Sequence, residues 1–265
     1  MNSPETERNS RLALAIEVAR EAGRITLEYF RRADLEVERK ADDSPVTLAD
    51  RRAEEHLRRR IVAAFPADGI LGEEFADRPG SSAFRWILDP IDGTKSFIRG
   101  VPLFGTLVGI EHEGESILGV IHIPALDECV YAATGWGAWY VHGGRPPQPA
   151  KVSSRRPLSQ GLFLTSDTTG FDQIGRSDAY DRLAAAAGLS RTWGDCYGYL
   201  LVATGRAEVM VDPVANVWDL AAVLPVIEEA GGTFTDWQGC RTIHSGQGIA
   251  TNGQVHDEVL EIARA

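Results

Sequence analysis

The stretch Trp86 to Phe97, WILDPIDGTKSF, constrains this chain more than any other, because an apolar run stops abruptly at two aspartates. In a regular strand, side chains three residues apart point to opposite faces of the sheet. Pro90 restrains the backbone between Asp89 and Asp92, so the two carboxylates can instead converge on one point from a loop. Convergent carboxylates repel each other unless a cation lies between them. The plainer reading is a solvated Asp turn with Gly93 as the turn residue, and a lone DPxDG cannot exclude it.

Further acids weigh against that reading. Gly72-Glu73-Glu74 follows the short apolar run Gly69 to Leu71, and Asn216-Val217-Trp218-Asp219 puts a carboxylate in the first turn of a helix. On its own, Asp219 reads as an acid that complements the helix dipole. Taken together, the donors are all hard oxygens, with no His or Cys among them. That set suits magnesium rather than zinc, and hard-oxygen magnesium sites suit phosphate substrates. The six histidines show no HExxH spacing, and the three cysteines, Cys129, Cys196 and Cys240, show no CxxC pair. Neither a G-x-S-x-G elbow nor a Walker loop occurs, so no covalent nucleophile and no P-loop is indicated.

The periodicity predicts an amphipathic helix over 11–30, with Leu12, Ile16, Ala19, Gly23, Leu27 and Phe30 on one face. A second is expected from Leu48 to Phe65, ending at Pro66. The runs 86–88, 103–110, 117–123 and 129–133 read as strands of one mainly antiparallel sheet. His142 to Pro157, rich in turn formers, marks the boundary between an N-terminal half, 1–150, and a C-terminal half, 151–265. Beyond it, 161–165 and 207–211 read as strands, and 179–187, 198–204 and 217–230 as helices, the last kinked by Pro225 and ended by Gly231 and Gly232 at positive φ. With 43% hydrophobic residues and a net charge of -11, the chain can bury a sizeable core and lacks the basic face that nucleic-acid binding needs. The polar start MNSPETERNS and the absence of a ~20-residue apolar run give the expectation of an untargeted cytoplasmic protein, not a membrane protein.

The ordered set GEE at 72–74, DPIDGT at 89–94, WD at 218–219 and EEAGG at 228–232 resembles the inositol monophosphatase superfamily, and the resemblance covers nearly the whole chain. It implies an α+β fold, a layered α-β-α-β-α sandwich, a homodimer and up to three magnesium ions per subunit. By motif position it implies that Glu73, Asp89, the Ile91 carbonyl, Asp92 and Asp219 are metal ligands. Gly93 and Thr94 would meet the phosphate and the attacking water. Asp50, in KADDSPVTLAD, would pair with Thr94, and Lys40 would approach the site from the same segment. Read without the resemblance, Asp50 is equally a helix-capping acid and Lys40 a surface lysine.

Members of this superfamily act on several small phosphorylated metabolites. The segment GDCYGYLLVATGRAEVMVDP at 194–213 is similar to the histidinol-phosphatase branch. That places Asp195 and Asp212 on the substrate wall and makes histidinol phosphate hydrolysis by metal-activated water, a step of histidine biosynthesis, the favoured activity. DGTK and KADDSPVTLAD also resemble the phosphoadenosine phosphatases. An inositol-1-monophosphatase, a 3'-phosphoadenosine 5'-phosphate phosphatase and, outside enzymes, a regulator binding a phosphorylated ligand stay open as alternatives.

Overall fold

The computed structural model describes residues 4–40 and 43–265, so Ala41 and Asp42 of the KADDSPVTLAD segment lie outside the described residues. Helix α1 (Pro4–Leu27) leads through the hairpin β1 (Val37–Arg39) and β2 (Pro45–Thr47) to helix α2 (Leu48–Ala64). The α2 boundaries follow the expectation closely. Thr47 caps the helix in a capping box with Asp50, and Ala53, Leu57 and Ile61 form its buried stripe.

Helix α1 departs from the expected stripe. Its fully buried positions include Ala15, Val18, Ala19, Ala22 and Thr26, whereas Leu27 is exposed. Small side chains let α1 lie close to α2 and to the sheet below, so the core face is set by size as well as hydrophobicity. The helix ends before Phe30, whose ring instead meets Phe104 at 4.9 Å and Phe97 at 5.8 Å.

Seven strands follow in spatial order: β3 (Gly69–Gly72), β4 (Phe84–Asp92), β5 (Gly105–His112), β6 (Glu115–Ile123), β7 (Glu128–Ala133), β8 (Ala138–His142) and β9 (Gln148–Pro149). Only β3 and β4 are parallel; each later neighbour runs antiparallel. A short helix, α3 (Thr94–Ile98), joins β4 to β5. Eight of the nine β6 residues are buried, because helices cover both faces of this sheet, and that is why its strands show no hydrophobic alternation.

The chain leaves the large sheet after β9 and builds a second one from β10 (Leu162–Thr165), β11 (Leu189–Arg191), β12 (Val209–Asp212), β13 (Thr233–Thr235) and β14 (Gly248–Thr251), in spatial order β11-β10-β12-β14-β13. Helices α4 (Thr169–Gln173), α5 (Ser177–Ala186) and α9 (His256–Arg264) are on its outer side. Helices α6 (Cys196–Ala203), α7 (Val217–Leu220) and α8 (Val223–Glu229) lie between the sheets. The central core joins Ile87, Leu107 and Ile121 of the large sheet to Leu164, Met210 and Ala250 of the small one through Leu200 and Ile227. This is the expected α-β-α-β-α sandwich.

The single helix expected over 217–230 is two helices, α7 and α8, parted at Ala221 and Ala222. Pro225 has no N–H for the Ala221 carbonyl, four residues back. That carbonyl accepts the Ser116 hydroxyl instead, at 2.5 Å. The break sits against paired Gly109 and Gly119, where a Cβ on Gly119 would come 2.0 Å from the Ala222 carbonyl oxygen. Of the two glycines after α8, only Gly231 takes positive φ (89°), correcting the expectation for Gly232. At Gly232 a side chain is excluded by the Thr251 carbonyl, 2.5 Å from an added Cβ.

Candidate active site

Asp89 and Asp92 converge because β4 bulges between them. Asp89 pairs with Leu107 and Asp92 with Gly105, so three steps along β4 match two along β5. The extra residue turns Asp92 to the face that Asp89 occupies. Asp219, in the first turn of α7, completes the group: oxygen atoms of Asp89, Asp92 and Asp219 lie within 4.8 Å of one another. Each acid is held by a backbone N–H. Asp89 Oδ1 accepts from Ile91 (3.0 Å), Asp219 Oδ2 from Asn216 (2.6 Å), and Asp92 Oδ2 from Cys196 across the gap between the sheets. Asp219 is thus both a capping acid and a member of the cluster.

The cluster is electrostatically strained as it stands. Burial, followed by the neighbouring carboxylates, raises Asp89 and Asp92 well above the usual carboxylate range and Asp219 to about 7. Glu73 follows β3 and adds its charge to Asp89 and Asp219. Lys40 lies beside Glu73, its Nζ 2.6 Å from both Glu73 and Glu74. Glu74 is pushed up to about 7, mainly by burial.

At the end of β4, Gly93 takes φ 85° and starts α3. A helix's first turn leaves N–H groups without carbonyl partners, and here that turn opens beside the acids. The Thr94 hydroxyl donates to the Ile91 carbonyl at 2.9 Å and lies 3.4 Å from Asp50 Oδ1. Asp50 Oδ2 accepts both the N–H and the hydroxyl of Thr47, at 2.8 and 2.7 Å. Asp50 therefore caps α2 and also faces Thr94; burial lifts it to about 6.

These groups open into a cavity of about 360 Å³ lined by Glu73, Asp92, Gly93, Thr94, Asp195, Asp212 and Asp219, among others. Asp195 stands at the N-cap of α6 with φ 51° and ψ -156° and makes no side-chain cap. That strained conformation, sparsely populated for any residue with a Cβ, turns its carboxylate toward Gly93 and away from the helix. Asp212 ends β12 inside the pocket. Ser166, absent from the sequence reading, links the two: its hydroxyl donates to Asp212 Oδ1 at 2.5 Å and accepts the Asp195 N–H at 2.8 Å. Lys95 and Asp167 face each other at 3.7 Å across the cavity, one from each sheet's loops. The only sequence signal for Ser166 and Asp167 was their place just beyond the strand 161–165, where loops carry function. Of the residues singled out in the sequence, Lys40, Asp50, Asp89 and Ile91 do not line the cavity; Asp50 and Asp89 lie buried behind it. Lys40 pairs with the glutamates, and the Ile91 side chain is in the core with Phe97 and Phe104.

Three carboxylates within reach of one point, Asp89 buried and Asp92 and Asp219 half-buried, repel one another and offer only oxygen donors, which fits a hard divalent cation. The sequence matches the inositol monophosphatase family over residues 7–265. It is 47% identical to the histidinol-phosphatase of Chlorobaculum parvum over 91% of each chain. It is 39% identical to the histidinol-phosphatase of Mycobacterium tuberculosis, covering 94% of this chain and 96% of that one. The IMPase structure of Thermotoga maritima superposes with a TM-score of 0.85 at 32% identity, covering 96% of this chain and 97% of that one. The chain belongs to the inositol monophosphatase family. It is a phosphomonoesterase of that family, and Asp89, Asp92 and Asp219 form an acidic cluster that could hold a metal ion.

Proposed function

We propose that this protein is a magnesium-dependent histidinol-phosphatase, releasing histidinol and phosphate. The observation that carries the substrate is the pair Asp195 and Asp212, two acids in the cavity outside the trio of Asp89, Asp92 and Asp219. Histidinol phosphate carries an ammonium and an imidazole, which acids attract. Inositol phosphate offers only neutral hydroxyls. The similarity to two histidinol-phosphatases supports the same choice.

In this reading Glu73, Asp89, Asp92, Asp219 and the Ile91 carbonyl hold up to three magnesium ions. When bound, magnesium neutralises the phosphoryl oxygens and makes the attacking water more acidic. The chain's own groups do the positioning. The amides of Gly93 and Thr94 bind phosphoryl oxygens, and Thr94 Oγ1 accepts a hydrogen bond from the water, turning a lone pair toward phosphorus. Asp50 holds Thr94 in place, while Glu73 orients the water. Water oxygen bonds to phosphorus as the bond from phosphorus to the ester oxygen breaks, a proton from the water ends on the departing ester oxygen to give histidinol and inorganic phosphate, and no phosphoenzyme forms. Lys40 steadies Glu73 at the edge of the site. We further read 1–150 and 151–265 as two halves contributing to one site, and the working form as a homodimer, with light scattering as the check on its mass. No described helix is long and apolar enough to cross a membrane.

Phosphate release from histidinol phosphate, inositol 1-phosphate and 3'-phosphoadenosine 5'-phosphate, each with and without magnesium, tests the proposal. Histidinol phosphate is expected to give the highest kcat/KM, and only with metal.

A further inference from the structure

On the far side of the large sheet from the trio's loop, α1 and the β8–β9 turn enclose a second cavity of about 460 Å³. Arg20 and Arg24 enter it from α1, and Arg145 enters from the turn HGGRPPQP, which the active site leaves unused. None of the three forms an ion pair with a described acid, although the chain carries a net charge of -11 and Arg39, Arg85 and Lys95 at the other cavities each have a carboxylate partner. Asp127 is the one acid among the lining residues. Three guanidinium groups against one carboxylate leave two positive charges facing the cavity.

The floor is His122, only 7% exposed. Its Nδ1 lies 3.2 Å from the Ala19 carbonyl, and a carbonyl can only accept, so Nδ1 carries the proton. Burial holds the ring well below its ordinary pKa, at about 4, so it is neutral and Nε2 is a bare acceptor. Leu27, exposed at the end of α1, gives the cavity an apolar wall. Planar guanidiniums match phosphoryl oxygens in pairs of hydrogen bonds, and a phosphomonoester carries close to two negative charges at neutral pH.

We propose that this cavity is a second ligand site, separate from the active site, that binds the phosphoryl group of a small organic phosphate. Arg20, Arg24 and Arg145 hold the phosphoryl group, and the organic portion lies against Leu27 with a donor to His122 Nε2. The cavity is within the usual size range of small-molecule pockets and exceeds what a bare phosphate ion fills.

Calorimetric titration of the magnesium-loaded enzyme with phenylphosphonate, a phosphoryl group on an apolar ring that the enzyme cannot hydrolyse, tests this directly. The wild type should bind two equivalents per chain. Arg24→Gln/Arg145→Gln, which leaves Arg20 beside Cys129, should bind one equivalent and keep kcat/KM for histidinol phosphate within about twofold. Inorganic phosphate should fill the second site at least about tenfold more weakly than phenylphosphonate. A single equivalent in the wild type, or two in the variant, overturns the site. Equal affinity for the two probes overturns the organic ligand.

Discussion

The Ser116 hydroxyl reaches 105 residues along the chain to the Ala221 carbonyl, 2.5 Å away, and so supplies the bond that Pro225 removes from the helix. Asp219 is held two residues before that junction. Ser116→Ala leaves a buried carbonyl without a donor, which costs about 1–3 kcal/mol. We expect chemical denaturation to register that loss and the apparent magnesium affinity to fall with it. An unchanged midpoint would show that the carbonyl finds another donor.

That junction also shows where sequence reasoning stops. Pro225 announced a kink, but the donor that heals it and the glycine pair that receives it, Gly109 and Gly119, lie on strands far away in sequence. The acids of GEE, DPIDGT and WD were legible because each combines a carboxylate with a local backbone signal. Ser166 was not, since a serine after a strand is ordinary until β10 and α6 bring it between Asp195 and Asp212. In the last stretch, β13 and β14 have three and four residues, too few to show a period, whereas α9 does carry a helical spacing in Val259, Leu260 and Ala263 that the sequence reading leaves unassigned. On α1 the expected stripe holds at Leu12, Ile16, Ala19 and Gly23, but it leaves out the small buried residues Ala15, Val18 and Ala22 and runs on to Leu27, which is exposed, and Phe30, which lies beyond the helix.

Like charges crowded at the trio make a prediction about the metal-free protein. Asp89→Asn removes one of them while preserving an oxygen that can accept the Ile91 N–H. Without magnesium the variant should melt higher than wild type, by about 2–4 °C for each kcal/mol of relieved repulsion. With magnesium it should lose at least ~100-fold in kcat, because transition-state charge is no longer matched. A lower melting point in chelator would mean that the cluster is not strained.

Asp50 should act through Thr94. Asp50→Asn is expected to lower kcat about tenfold or more with little change in magnesium affinity, as for a group that orients another. Thr94→Ser should retain most activity, because it keeps the hydroxyl. Weakened metal binding with full kcat at saturating magnesium would reassign Asp50 to the metal.

His122 makes stability depend on pH. Its folded pKa, about 4, is depressed from 6.5 chiefly by burial, with Arg20 and Arg24 also opposing the charge and the Ala19 carbonyl and Asp127 favouring it. Above pH 6.5 both folded and unfolded rings are neutral and nothing changes. As pH falls toward 4, the unfolded ring binds a proton that the folded one refuses, and roughly 3 kcal/mol of stability is lost. Denaturant unfolding of His122→Gln across that window should show a decline shallower by about that amount. Parallel curves would remove His122 as the cause.

Substrate choice depends most on Asp195 and Asp212, the acids of the cavity outside the trio that would meet the ammonium and imidazole. A charge-assisted hydrogen bond is worth about 1.5–3 kcal/mol, or roughly 10- to 150-fold in kcat/KM. The decisive measurement is kcat/KM for histidinol phosphate and for inositol 1-phosphate, with saturating magnesium, in wild type, Asp195→Asn and Asp212→Asn. Wild type should prefer histidinol phosphate, and each variant should lose about 10- to 150-fold on that substrate while changing little on inositol 1-phosphate. Equal losses on both substrates, or a wild type that prefers inositol 1-phosphate, would contradict the assignment.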